Sequence, residues 1–179
     1  EFAAPMVPEK VGVMSELEEI AGALGLIPNE LGFENHKPML LKGSSAFAYV
    51  PVANLDAMSK VRVTPMHWAR AFTDRSVDGV YLYTRQCVRA QSSFHARMFA
   101  PDLGVPEDPA TGSAAIGFAH VIHEFDALPE GVHRRTIEQG MEMGRPSAIS
   151  WVMTVGRGRL ETIRIGGHAV RVAEGRLLA

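Results

Sequence analysis

Asp108, Thr111 and Ser113 fall within one stretch, Arg97 to Ala115 (RMFAPDLGVPEDPATGSAA), and residues of these types at this spacing could bind and protonate a small acid. A strand-like segment ends at Phe99, and a loop rich in proline and glycine follows. That loop opens into a helix whose first residues are Gly112, Ser113 and Ala114. A helix start leaves backbone N–H groups without partners, with a partial positive charge behind them. Small side chains there let a ligand carboxylate approach the backbone, so an anion can bind without any lysine. Asp108, just ahead of this nest, offers an acceptor or proton-transfer group, and Ser113 adds a hydroxyl inside it. The same pattern also describes an ordinary helix start, with Asp108 or Thr111 as the cap and Gly112 supplying the turn.

Other reactive groups are more isolated. His120, His123 and Glu124 share one helix at spacings that can hold a metal. No further cluster of His, Cys or Asp is near in sequence and the pattern is not H-E-x-x-H, so a solvated or cleft-facing helix surface is expected there. Cys87, at a strand end, reads as an ordinary, partly buried residue. Gly156-Arg157-Gly158 reads as a hairpin turn, because Glu161 occupies the third glycine position of a nucleotide loop and no helix follows. Arg145, two residues before Ser147, is expected to brace the sheet by bonding carbonyls.

The elements that must position these groups follow from local patterns. Ser15 and Glu18 form a capping-box pattern ahead of a helix with Leu17, Ile20, Ala21 and Leu24 on one stripe, and Gly25 marks its end. A strand is predicted over Ala46–Val52, a short helix from Asn54, and another from Thr64-Pro65, with the proline at the first helical position. Gly79–Arg85 and Phe94–Phe99 read as strands. A longer helix over Gly112–Phe125 buries Ala115, Phe118, Ala119, Ile122 and Phe125 and turns Ser113, Gly117, His120 and Glu124 outward. Strands are then predicted over Arg134–Gly140, Ser147–Val155, Arg159–Ile165 and His168–Ala173, separated by glycine turns. The class is α+β, a largely antiparallel sheet wrapped on few helices.

Composition bounds the function. A chain of 179 residues with 46% hydrophobic residues can build a core, and 21% charged residues exclude charge-driven disorder. Net charge runs from −4 over residues 1–60 to −1 over 61–129 and +3 over 130–179. The arginines of the basic end are scattered along strands, and only Trp151 among them offers a stacking platform, so nucleic-acid binding is not expected. Cys87 is the single cysteine, which excludes an internal disulfide and suits a reducing, cytoplasmic setting. The longest uncharged run, Pro109 to His123, is too short to span a bilayer. The first ten residues lack the basic and apolar regions of a signal peptide.

Two longer motifs add a resemblance. EDPATGSAA following an R-x-FAP stretch, and EQGMEMGRPSAISW from Glu138 to Trp151, resemble the two signatures of the PhzF family, in the family's order. The resemblance implies a diaminopimelate-epimerase-like fold, a mixed, mostly antiparallel sheet curled around a central helix. It further implies two such halves with the active site between them, this chain matching the C-terminal half and the N-terminal half being absent. The family's namesake isomerises trans-2,3-dihydro-3-hydroxyanthranilate by moving a proton, with neither metal nor cofactor. By resemblance, Asp108 and Ser113 are the catalytic residues, and Thr111, Gly112 and Ser113 bind a small carboxylate substrate. The family's other acid/base, a glutamate, and a cleft histidine belong to the first half, and Glu16, Glu18 and Glu19 are not expected to replace them. The chain alone is therefore expected to be inactive and to form a homodimer. The alternative is a non-catalytic ligand-binding domain of the same fold.

Overall fold

Strands covered on both faces read as unbroken apolar runs, and Ala46–Pro51 and Gly79–Thr84 are of this kind, buried at every position. The computed structural model describes residues 1–176. In chain order, strands β1 (Phe2–Ala3) and β2 (Glu9–Lys10) precede helix α1 (Leu17–Leu24). There follow β3 (Met39–Lys42), β4 (Ala46–Pro51), two short helices, α2 (Leu55–Lys60) and α3 (Pro65–Ala71), and β5 (Gly79–Thr84). The remainder comprises β6 (Phe94–Ala100), β7 (Val105–Asp108), α4 (Gly112–Asp126), β8 (Gly131–Gln139), β9 (Ser147–Gly156) and β10 (Arg159–Gly166).

These strands form one ten-stranded sheet in the order β1-β10-β9-β8-β6-β5-β4-β3-β2, with β7 paired to β6. Its pairs are antiparallel except β4 with β5 and β6 with β8. Laid flat, β1 and β2 would stand eight strand spacings apart, roughly 38 Å at about 4.8 Å each. Yet only residues 4–8 join them, and the stretch from Ala3 to Glu9 reaches about 20 Å at most. The sheet must therefore curl. Residues 1–10 become a strap between its two edges, and α4 lies inside the ring, touching β10 and β9 on one side and β4 and β3 on the other. Pro5, Met6 and Pro8 of the strap share a small recess with Ser113, Ile116 and Gly117 of α4.

Alternation along the strands builds two cores. Tyr49, Tyr81, Tyr83, Phe94 and Trp151 point inward onto Phe118 of α4, whose ring stacks on Trp151 with centroids 5.4 Å apart. Ala48, Val50, Val80 and Leu82 point the other way, against Ile20 and Leu24 of α1 and Trp68 of α3.

Most predicted elements form. Asn54 caps α2 with its side-chain oxygen on the Ala57 N–H at 2.9 Å, Pro65 opens α3, and Gly25 ends α1 at φ +68°. Four expectations are corrected. The capping box at Ser15 does not form: Glu16 is the cap residue of α1, and the Ser15 hydroxyl instead donates to the Ala71 carbonyl and accepts from Arg75. Asp108 ends a strand, β7, instead of lying in a loop, because the backbone of β6 was free to pair on that side. Gly117 is buried and not outward-facing, pressed against Tyr49, whose hydroxyl donates to the Ala114 carbonyl at 2.9 Å. No strand forms over His168–Ala173, whose residues are exposed.

Candidate active site

The two sequence signatures meet in space. Gln139, the last residue of β8, turns its side chain to the concave face and binds the segment from Asp108 to Thr111. Its oxygen accepts from the Thr111 N–H at 3.3 Å, and its amide donates to the Asp108 carbonyl at 2.7 Å and to the Thr111 hydroxyl oxygen at 2.9 Å. The Thr111 hydroxyl in turn donates to the Asp108 carboxylate at 2.5 Å. Gly140 then sits at φ +76°, where a Cβ would lie 2.9 Å from the Pro109 carbonyl and 2.4 Å from that of Arg145. Only glycine fits, which is why a Gln-Gly pair faces the Asp-Pro-Ala-Thr run.

The Thr111 hydroxyl donates to Asp108 and accepts from Gln139, and it makes no cap hydrogen bond to α4. The first amides of the helix, at Gly112, Ser113 and Ala114, are those that helix geometry leaves without acceptors. Gly112 opens onto a cleft of about 500 Å³, whose walls include Ala110, Ser147, Ile149, Ile165 and Arg89. Among the described residues no carboxylate pairs with the Arg89 side chain. The cleft thus joins apolar walls to a helix start and an unpaired cation, a combination suited to a small acid with an apolar body.

A charged network lies on the convex side of the same strands. His95 of β6 is buried, with Glu138 at 2.8 Å on one ring nitrogen and Glu142 at 2.8 Å on the other. Glu138, fully buried, also accepts the N–H groups of Val88 and Arg89 at 2.6 and 3.0 Å. Arg97, two residues along β6, forms a two-pronged pair with Glu107 at 2.8 and 2.9 Å. Nothing in the local sequence pattern pointed to His95, Glu138 and Glu142 acting together.

The remaining candidates separate. Cys87 is half-buried, and burial, then the Glu138 charge, pushes its thiol up to about 11. It is therefore protonated at neutral pH and a poor nucleophile. His123 turns to the Gly158 carbonyl at 3.3 Å, and burial holds the His120 pKa down. Metal-like geometry occurs elsewhere, at Glu34, His36 and Asp126, whose ligand atoms lie within 4.8 Å of one another. Arg85 already fills that group, donating to Glu34 at 3.0 Å and to Asp126 at 2.5 Å. Gly156-Arg157-Gly158 is the turn between β9 and β10, as its residues suggested. Arg145 is exposed in the turn before β9.

Of the residues expected to form the site, Asp108, Thr111 and Gly112 lie together, with only Gly112 on the cleft wall. Ser113 is exposed and lines the recess under the strap instead.

A curled mixed sheet around one helix, with its cleft at the start of that helix, defines an α+β architecture. The chain belongs to the phenazine biosynthesis-like (PhzC-PhzF) family, whose model matches residues 1–175. An uncharacterized isomerase of Mesorhizobium japonicum is 43% identical over 99% of this chain and 60% of its own length. The trans-2,3-dihydro-3-hydroxyanthranilate isomerase of Pseudomonas aeruginosa is 39% identical over 46% of this chain and 30% of its own. The crystal structure of a PhzF-family phenazine biosynthesis protein from Bacillus anthracis superposes with a TM-score of 0.84 at 21% identity, covering 97% of this chain and 58% of that one. A predicted epimerase from Pseudomonas aeruginosa gives 0.69 at 26% identity, over 96% and 56%. The chain thus spans between half and three fifths of the length of these structures and of its first relative. The PhzF-like fold is as expected. The expectation that this chain alone is inactive draws no support from the family match, which runs over nearly all of it.

Proposed function

We propose that this chain is an isomerase domain that anchors a small carboxylate at the start of α4 and moves a proton without a cofactor. One observation carries the reading: Gly112, the first residue of α4, opens onto a cleft with apolar walls and with Arg89, which no described carboxylate pairs. In this reading the amides of Gly112 and Ser113 take the substrate carboxylate. Asp108, held by Thr111 beside that helix start, is the proton-transfer group, and Ser113 contributes its backbone amide, its side chain lying in the recess under the strap. A ring carboxylate of the anthranilate type fits the relatives' printed activity and the apolar walls at Ile149 and Ile165.

A second reading is favoured by one fact: Asp108 is not on the cleft wall, and its carboxylate is engaged by Thr111. On that view the domain binds a carboxylate without turning it over. Titrating the ¹⁵N-labelled chain with 3-hydroxyanthranilate tests the shared part. Amide shifts centred on Gly112, Ser113 and Ala114 are expected, and shifts confined to other surfaces would remove both readings. Deuterium uptake from D₂O into a bound substrate then selects the isomerase.

A further inference from the structure

His95 brackets Gln139. Its two ring nitrogens bind Glu138, the residue before Gln139, and Glu142, just past the turn that Gly140 begins. A neutral imidazole carries one N–H, whereas two ionised carboxylates on its two nitrogens require two donors. With both carboxylates ionised, each ring nitrogen donates one N–H, to Glu138 and to Glu142, and the ring is an imidazolium. Burial alone would lower the His95 pKa, but hydrogen bonds to Glu142 and Glu138 outweigh it and the net shift is upward. Desolvation acts to raise the two carboxyls, yet both end below their ordinary range, chiefly through the hydrogen bond from His95.

The other charged groups around the ring are few. Arg97, on the same strand, stands 3.9 Å from Glu142 and is paired with Glu107 of β7. From the segment between β5 and β6, the Cys87 thiol feels the Glu138 charge, and Arg89 gives Glu138 its backbone N–H.

Successive side chains of a strand point to opposite faces, so a fixed Glu138 fixes the aim of Gln139. Two routes then lead from His95 to the cleft. One runs through Glu138 to the backbone of Arg89, whose residue lines the cleft. The other runs through Gln139 to Thr111 and Asp108.

We propose that His95 is a positioning residue of this cleft: its imidazolium clamps both ends of the 138–142 segment and so holds Arg89 and the 108–111 segment in their binding arrangement. Its functional meaning rests on the reading of the cleft given above, while the coupling itself stands without it. The test is a pH titration of the ¹⁵N-labelled chain by NMR. The His95 ring nitrogens, the Gln139 side-chain amide and the backbone amides of Thr111 and Arg89 are expected to share one midpoint. Glu142→Gln, which keeps an acceptor but removes a charge, lowers that midpoint for all of them together.

Amides of Gln139, Thr111 and Arg89 that stay flat while His95 titrates, or flat in both proteins up to alkaline unfolding, overturn the proposal. If the variant does not fold, the wild-type titration decides alone. Binding of 3-hydroxyanthranilate in the same samples keeps the two questions apart. Shared midpoints without binding at Gly112 would leave His95 its role and remove the proposed function.

Discussion

Gln139 holds Thr111 at two points, its N–H at 3.3 Å and its hydroxyl at 2.9 Å, across a separation of 28 residues in sequence. Removing one side chain thus strands several buried polar groups at once. Gln139→Leu removes the side-chain partner of the buried Thr111 N–H and of the part-buried Asp108 carbonyl, at a cost of about 1–3 kcal/mol for the buried group. A fall in melting temperature of several degrees is expected, together with loss of 3-hydroxyanthranilate binding at Gly112. A variant as stable as the parent would show that water replaces the amide.

Gly117→Ala places a Cβ 1.9 Å from the Tyr49 hydroxyl oxygen, so helix and strand cannot both stay where they are. Overpacking of this kind costs about 1–3 kcal/mol. Tyr49→Phe in the same chain should recover part of the loss, because the oxygen is the nearest atom. Thermal denaturation of the two single variants and the double variant gives the coupling; additive losses would contradict the geometry.

Asp108→Asn tests the proposed acid/base. The carboxylate accepts the Thr111 hydroxyl, and an amide oxygen can do the same, so the fold should survive with a loss of about 1 kcal/mol or less. Deuterium exchange into substrate should fall by about 10²–10⁴-fold, the range for one general acid–base group. Unchanged exchange would move the proton-transfer role to another residue.

Stability should fall on both sides of neutrality. His95 has a raised pKa in the folded chain, so its contribution is complete below the ordinary histidine value of about 6.5 and lost as pH rises through its folded value. Glu138 and Glu142 are lowered, so theirs is present above about 4.3 and lost as pH falls through their folded values. Melting temperature against pH should show both limbs, and Glu142→Gln should weaken both. An alkaline limb identical in the variant would place its origin elsewhere.

Cys87 gives a simpler reading. With its thiol pushed up to about 11, alkylation by iodoacetamide should be slow at pH 8 and speed up steadily as pH rises. Fast labelling at neutral pH would mean that the chain covering Cys87 opens in solution.

Where structure is set by neighbouring residues, the sequence was readable. Asn54 and Gly25 mark helix ends through bonds to residues within one turn, Pro65 through its fixed φ and missing N–H, and the apolar runs of β4 and β5 mark their own burial. The misreadings all involve distant partners. Ser15 looks like a helix cap until Ala71 and Arg75 are packed beside it. Gly117 looks outward until Tyr49 arrives from another strand. The alternating pattern of His168–Ala173 describes a strand, but a strand exists only once it pairs, and this segment stays exposed without forming one. The site divides in the same way. Asp108 to Ser113 was visible as one local motif, whereas His95, Glu138 and Glu142 meet only through strand pairing between β6 and β8.

The strap of residues 1–10 has a consequence for the order of folding. With β1 on one sheet edge and β2 on the other, α4 is enclosed by a ring of chain. A helix carrying Phe118 and its neighbours cannot be inserted sideways once that ring is shut. Docking of α4 must therefore precede closure, and its release must follow opening. The two-residue pairings of β1 and β2 are thus the latch that keeps α4 inside the ring.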